Sequence, residues 1–431
     1  MPPKHLKTAP GLPDAAQADV SDTVQIMLAR LGSQGEEAAR EYARRLDGWT
    51  GDIIVTAEQI ENARRQTPLQ LQDALRYAHD NIRVFAEAQR ASISEFRTEI
   101  RPGLVAGQRL LPVSSAGCYV PGGRYAHIAS ALMTIATARA AGVPHITACA
   151  PPRGDSIDAP TLFAMDLAGA DTILTLGGVQ GIAAMAFGLF DTPAADVLAG
   201  PGNAYVAEAK RQLFGPVGID MFAGPTDVLI LADHTADPTR VALDLIGQAE
   251  HGPTSPCWLV TDCSALAETV LRLIPQTIAS LPPENAEAAR AAWDAMGEVI
   301  LCDNRDEMRI EADRFAPEHL HVQCDDLDWW CQSLNAYGSL FLGESTTVAF
   351  GDKAAGPNHV LPTSGAARYT GGLSVHKFLK TTTWQEVTDA ALPQLADATS
   401  VISRAEGMVG HALTAETRLT DLTPPPQKAR A

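Results

Sequence analysis

The chain has 431 residues, 46% of them hydrophobic and 19% charged, enough apolar material for two or three packed domains. A formal net charge of −18, spread along the chain and not massed in a tail, argues against nucleic acid or an anionic membrane as a partner. Seven cysteines, an odd number with no Cys-x-x-Cys pair, argue against a disulfide framework or a thiolate zinc site and read as reduced, buried thiols. The start, Met-Pro-Pro-Lys-His-Leu-Lys, lacks the apolar core of a secretion signal. The longest apolar stretch, Ala126 to Ala150, is broken by Arg139, Pro144 and His145, so a cytoplasmic, non-membrane protein is expected.

In chain order, residues 1–20 read as a loose leader, and Ser21 to about Phe96 as helix, rich in Arg, Glu and Gln. From Gly107 short apolar runs alternate with Ala-rich helical stretches. His145 to Cys149, Thr172 to Leu176 and Val228 to Leu231 read as buried strands, with helices over Ser130 to Ala141 and Gly181 to Phe190. A second set follows at Trp258 to Thr261, Val299 to Leu301 and Leu320 to Val322. Alternation of this kind marks parallel βαβ units, hence an α/β protein with two Rossmann-like domains. After Leu392 helix returns, with Asp397 to Thr399 as its capping signal.

Four local features bear on chemistry. The segment Asp237 to Pro253 is a helix capped by Asp237, opened by Pro238 and stopped by Gly252-Pro253, which puts Gln248 and His251 at a spacing where an amide oxygen and an imidazole can meet one ion. A capping histidine is the plain alternative. Glu318 and His319 sit side by side at a strand mouth, where a carboxylate and an imidazole can share proton transfer, although such dipeptides are common at strand edges. Gly351 to Pro362 has no period and reads as a loop, in which Asp352 could serve a metal and His359 a substrate, or in which Asp and Asn simply form turns. The glycine turns at Tyr119-Val-Pro-Gly-Gly and Gly200-Pro-Gly-Asn permit phosphate binding at a helix start without being a G-x-G-x-x-G fingerprint.

Taken in order, Tyr-Val-Pro-Gly-Gly at 119, Gly-Gly-Val-Gln-Gly near 180, Gly-Pro-Gly-Asn at 200, Ala-Gly-Pro-Thr-Asp at 223, Gln-Ala-Glu-His-Gly at 248, Pro-Glu-His at 317, Gly-Asp-x5-Asn-His-Val-Leu-Pro-Thr at 351 and Glu406-Gly-Met-Val-Gly-His411 resemble the histidinol dehydrogenase family over roughly residues 22–415. The resemblance implies one zinc per subunit, held by Gln248, His251, Asp352 and His411, the last from the partner in a homodimer with shared sites. It also implies NAD contacts at Tyr119, Gln180 and Asn203. Substrate contacts would be Thr226, His359 and Glu406 beside Gln248, His251, Glu318, Asp352 and His411. In that chemistry a primary alcohol passes through an aldehyde to a carboxylate in two hydride transfers. His319 removes the hydroxyl proton and Glu318 activates the attacking water. On one helix Glu406 and His411 would lie about 140° apart, an awkwardness that crossing between subunits would relieve.

The implied organisation is a leader at 1–20, a first α/β domain at 21–118 plus 228–380, a second at 119–227 with the NAD contacts, and a helical tail at 381–431 that swaps in the dimer. Thr226-Asp227 stands where histidine-forming relatives have Ser-Glu, and the run from Ala367 to Lys380 is similar to the sulfopropanediol dehydrogenase branch. Arg124, His127 and Arg368 are accordingly candidates to hold a sulfonate. L-histidinol, 2,3-dihydroxypropane-1-sulfonate or another polyol remain open as substrates, zinc or manganese as metal. A metal-binding homologue without catalysis is the alternative of another class.

Overall fold

The computed structural model describes residues 3–11, 17–122, 126–221 and 224–420. Contacts divide the chain into two units, residues 1–90 with 113–378, and residues 91–112 with 379–431. The first unit opens with β1 (Lys4–Lys7) and three helices, α1 (Gln17–Leu46), α2 (Ala57–Gln66) and α3 (Leu69–Ala91). The second α-helix starts at a capping box in which Thr56 and Gln59 each satisfy the other's backbone N–H. The chain then crosses to the other unit for β2 (Phe96–Arg101) and β3 (Leu104–Pro112) and returns.

Five strands follow, β4 (Ser115–Tyr119), β5 (His145–Ala150), β6 (Thr172–Thr175), β7 (Val197–Ala199) and β8 (Gly218–Ile219), joined by α4 (Ile128–Ala141), α5 (Ala159–Ala168), α6 (Gly178–Phe187) and α7 (Ala204–Leu213). They form one all-parallel sheet in the order β6-β5-β4-β7-β8, and α1, α6 and α7 close a core of Leu, Ile, Val and Ala on it. A turn that only glycine tolerates links β7 to α7. Gly200 has φ 124°, and a Cβ there would stand 2.1 Å from the Tyr119 carbonyl oxygen. The buried Lys210–Asp220 ion pair clamps this turn, with Lys210 donating to the Gly200 carbonyl at 2.9 Å and Asp220 accepting from the Gly200 N–H at 2.8 Å.

The second sheet uses β9 (Val228–Ala232), α8 (Pro238–Ala249), β10 (Cys257–Thr261), α9 (Ser264–Ala279), α10 (Pro283–Met296), β11 (Gly297–Leu301), α11 (Arg305–Phe315), β12 (His319–Gln323), α12 (Leu327–Ser333), β13 (Ser339–Leu342) and α13 (Val348–Lys353). Its order is β1-β11-β10-β9-β12-β13, parallel except for β1. β9 is Val-Leu-Ile-Leu-Ala because both of its faces are covered, one by α8 and α9 and the other by α11 and α12. The second unit, taken by itself, is an antiparallel sheet β14-β3-β2, with β14 at Leu379–Val387, followed by α14 (Leu392–Ala405) and α15 (Val409–Thr420).

The expected α/β architecture with two parallel sheets is present, and four local expectations are corrected. Lys4–Lys7 in the supposed leader is an edge strand, its backbone paired with Leu301 to Val299. Asp352 is not in a loop but in the last turn of α13, a six-residue helix too short to show a period. Asp397 to Thr399 lie inside α14, which starts at Leu392 with Pro393 in its first turn. Glu406 and His411 do not share a helix: Glu406 closes α14, Gly407 turns with φ 78°, and His411 belongs to α15. All seven cysteines are free and five are buried, whereas Cys263 is half-buried and Cys331 exposed. No helix among the described residues is long and apolar enough to cross a membrane.

Candidate active site

The strand-mouth rule places chemistry at the carboxyl ends of parallel strands. Here Glu318 and His319 stand at the amino end of β12, beside Thr226 and Asp227 at the amino end of β9. The reason is connectivity. Helix α8 follows β9, packs against it and returns its last turn, with Gln248, to the end of the sheet where the strand began.

Two turns lock together at that end. The Glu318 N–H donates to the Asp227 carboxylate at 2.7 Å, and the Asp227 N–H donates to the Glu318 carboxylate at 3.1 Å. His319 Nδ1 lies 2.8 Å from the Asp227 carbonyl oxygen. A carbonyl only accepts, so Nδ1 carries the proton and Nε2 is the free ring nitrogen. That Nε2 is buried without a hydrogen-bonding partner, 3.4 Å from an Asp352 carboxylate oxygen but outside hydrogen-bond geometry. In the neutral ring it carries a buried lone pair beside Asp352.

Burial pushes the Glu318 carboxyl up to about 7, with Asp227 adding to the effect and His319 and Thr226 opposing it. For His319 burial favours the neutral ring, but the flanking Glu318 and Asp352 outweigh it and bring the imidazole to about 9. Asp352, although buried, is held well below the usual carboxylate range by His319. Burial raises Asp227 to about 6.

Gln248, His251 and Asp352 line one cavity of about 460 Å³, together with His127, Asp244 and Lys353. The Gln248 amide is oriented, because its Nε2 donates to the Thr226 hydroxyl at 2.5 Å and leaves Oε1 for another partner. Thr226 also hydrogen-bonds Glu318, so one hydroxyl joins the amide to the carboxyl. Both ring nitrogens of His359 are engaged, Nδ1 2.7 Å from the Asp352 carbonyl oxygen and Nε2 2.9 Å from the Ser130 hydroxyl. Among the described residues no three His, Cys, Asp or Glu side chains converge as a metal site, and the trio along this cavity supplies two of those types plus an amide. His411 and Glu406 lie in the other unit, both exposed.

The three residues expected at NAD all sit at carboxyl ends of the first sheet. Tyr119 accepts from the Gly178 N–H at 3.0 Å, and Gln180 donates to Asp47 at 2.8 Å while its own Oε1 is buried and unpartnered. Asn203 caps α7 by accepting from Tyr205 and Val206. Close by, Pro121, Gly122, Pro151 and Arg153 line a cavity of about 160 Å³ beyond β4 and β5.

Of the anion candidates, His127 lines the cavity with Gln248, and burial followed by His359, Lys353 and His251 lowers its ring to about 4. Arg368 lines another cavity with Trp258 and Arg314 and donates to the Gly365 carbonyl at 3.2 Å and to that of Arg314. Arg124 lies outside the described residues. Sequence reasoning missed Asp227 and Lys353. Both stand inside or next to quoted motifs, Asp227 closing Ala-Gly-Pro-Thr-Asp and Lys353 following Asp352 directly.

Two α/β sheets, with a buried carboxyl and imidazole at one sheet end and an oriented amide, histidine and carboxylate along one cavity, define an α/β protein equipped for proton transfer, the layout of an enzyme. The chain belongs to the histidinol dehydrogenase family, whose description matches residues 12–419 and whose members are NAD-dependent oxidoreductases acting on CH–OH groups. It is 69% identical, over 97% of either chain, to a histidinol dehydrogenase homolog of Ruegeria pomeroyi. It is 55% identical to the sulfopropanediol 3-dehydrogenase of the same organism, over 98% of this chain and 97% of that one. The crystal structure of histidinol dehydrogenase from Elizabethkingia anophelis superposes with a TM-score of 0.89 at 31% identity, covering 96% of this chain and 95% of that one.

Proposed function

We propose that the chain is a zinc-dependent, NAD-linked dehydrogenase that oxidises a primary alcohol bearing an anionic group, of the 2,3-dihydroxypropane-1-sulfonate kind, through the aldehyde to the carboxylate. The cationic side chain available for that group is Lys353, exposed at the rim of the cavity that His127 lines and electrostatically felt by both His127 and Asp352. A sulfonate calls for such donors. The 55% identity to a sulfopropanediol 3-dehydrogenase supports the same reading.

The donors fit zinc. An amide oxygen freed by the Thr226 bond, an imidazole and a carboxylate are a borderline set along one cavity, and Gln248, His251 and Asp352 would hold the ion. When bound, zinc supplies Lewis acidity at the alcohol oxygen and NAD accepts hydride. Tyr119, Gln180 and Asn203 are the proposed cofactor contacts, with the buried, unpartnered Gln180 Oε1 supporting the second.

The chain's own residues move the protons. His319 Nε2 takes the hydroxyl proton when its ring is neutral, a fraction that grows as the pH rises towards about 9, and the Asp227 carbonyl holds the ring. Glu318 takes a proton from the water that adds to the aldehyde, and the Asp227 N–H and Thr226 hydroxyl hold its carboxylate in place. Thr226, His359 and Glu406 are proposed around the substrate. His411 is proposed to complete the metal set from the second subunit of a homodimer. Seven unpaired thiols, one of them exposed, favour a reducing, cytoplasmic setting.

The test is NAD reduction by the purified, zinc-loaded protein with 2,3-dihydroxypropane-1-sulfonate and L-histidinol in parallel. Turnover of the sulfonate that is lost in a Glu318→Gln, His319→Asn double variant is expected. Turnover of histidinol alone overturns the anionic-substrate reading, and silence with both and with a wider alcohol panel overturns the dehydrogenase reading.

A further inference from the structure

Strand β12 runs parallel between β9 and β13 and is buried along its whole length, so both of its faces should be apolar. One face obeys, with Leu320 and Val322 in the core against α11 and α12. The other carries His319, His321 and Gln323, each 2% exposed or less. Buried polar groups cost stability unless each finds a partner. His319 Nδ1 has the Asp227 carbonyl, with the Asp352 carboxylate 3.4 Å from Nε2 as a charge contact, and His321 Nε2 donates to the Gly343 carbonyl at 3.0 Å. For the rest of the stripe the partner is a single carboxylate, Asp244 of α8.

Asp244 accepts from Gln323 Nε2 at 2.8 Å and stands 3.5 Å from His321 Nδ1, a nitrogen that Gln323 also approaches at 3.3 Å. Its other oxygen accepts from the Thr347 hydroxyl at 3.0 Å, and Thr347 is the residue that starts α13. Three elements therefore meet on one side chain. Helix α8 carries Gln248 one turn beyond Asp244 and releases His251 at its end; β12 carries His319; α13 carries Asp352. Asp244 also lines the cavity that Gln248, His251 and Asp352 share.

We propose that Asp244 is a positioning residue whose carboxylate pins α8 and α13 to β12 and so fixes the spacing of Gln248, His251, His319 and Asp352. No apolar residue could do this, because it would leave the Gln323 amide N–H and the Thr347 hydroxyl without the carboxylate that accepts from both. The metal half of the consequence rests on the zinc reading given above; the joint between the elements does not.

The experiment compares wild type, Asp244→Ala, Asp244→Asn and Thr347→Val as full chains. Zinc affinity is measured by chelator competition, kcat and the KM for NAD by steady-state assay, and backbone exchange in residues 238–251 by hydrogen–deuterium exchange without metal. Asp244→Ala is expected to weaken zinc binding about 10–100-fold, the range for lost support of a metal ligand, and to lower kcat with the KM for NAD unchanged. Faster exchange in residues 238–251, with the β4 to β8 sheet unaffected, is expected alongside. Asp244→Asn, which keeps one accepting oxygen, should recover most of both. A wild type that binds no zinc defeats the zinc reading while the exchange data still judge the joint. Unaltered zinc affinity and unaltered exchange in Asp244→Ala, with only a lower melting temperature, overturn the proposal. If Asp244→Ala does not fold, Thr347→Val, which removes only the tie between α13 and Asp244, decides: weaker zinc binding is expected, and wild-type zinc affinity and exchange overturn the proposal equally.

Discussion

Burial acts on Glu318 and His319 in opposite senses, and the partners around each decide what remains. The Glu318 carboxyl, taken out of water and set beside Asp227, reaches about 7; the His319 ring, wedged between Glu318 and Asp352, rises to about 9 in spite of burial. A general base works only when deprotonated. Because the carboxyl is raised, Glu318 is mostly protonated below pH 7, so its step is expected to lose about tenfold in rate per pH unit on the acid side. The pH profile of kcat/KM with the aldehyde as substrate should therefore bend near 7, and Glu318→Gln should abolish the bend along with most of the rate. A bend near 4.5 would mean that solvent reaches the carboxyl. At this scale the sequence showed the adjacent Glu318 and His319 but not Asp227, which lies 91 residues away from Glu318. Its part is to lock two turns through reciprocal backbone bonds, and nothing in the sequence near Asp227 distinguishes that from an ordinary turn former.

Elements with strong caps and long periods were legible, and short ones were not. Helix α8 announced itself through Asp237, Pro238 and Gly252, and its register put Gln248 and His251 at the same end, as found. Helix α13 has six residues, fewer than two turns, so Asp352 looked like part of a loop. The break after α14 hid behind Gly407, whose left-handed backbone ends one helix before His411 starts its place in the next. The Gly200 turn was legible as a turn, but the ion pair that holds it was not, since Lys210 and Asp220 come from a helix and from the far side of β8. Asp220→Ala leaves a buried ammonium without its counter-charge and removes the acceptor for the Gly200 N–H. The expected loss is about 3–5 kcal/mol, the usual cost of orphaning one partner of a buried pair. Chemical denaturation checks it, and a loss below about 1 kcal/mol, the range of an exposed pair, would mean that water reaches Lys210.

Across the whole molecule, the alternation of strands and helices gave both parallel sheets, because buried strands must be apolar on two faces. The antiparallel sheet of β2, β3 and β14 was not visible. Its strands come from residues 96–112 and 379–387, and its edge strand β2 is exposed along its length, so no apolar run marks it. The same unit ends in α14 and α15, where Val401, Ile402, Val409 and Leu413 are at least half exposed. Apolar side chains of that size standing in water favour a covering partner, and a second copy that places His411 against the first copy's Gln248, His251 and Asp352 would account for them. Subunit exchange tests this without a further structure. Glu318→Gln and His411→Ala homodimers should each be nearly inactive. If His411 crosses, each mixed dimer contains one site with both lesions and one with neither. Random reassociation makes half of the dimers mixed, so about a quarter of wild-type activity should return. If His411 serves its own chain, every site in the mixture keeps one lesion, and reassociation restores nothing.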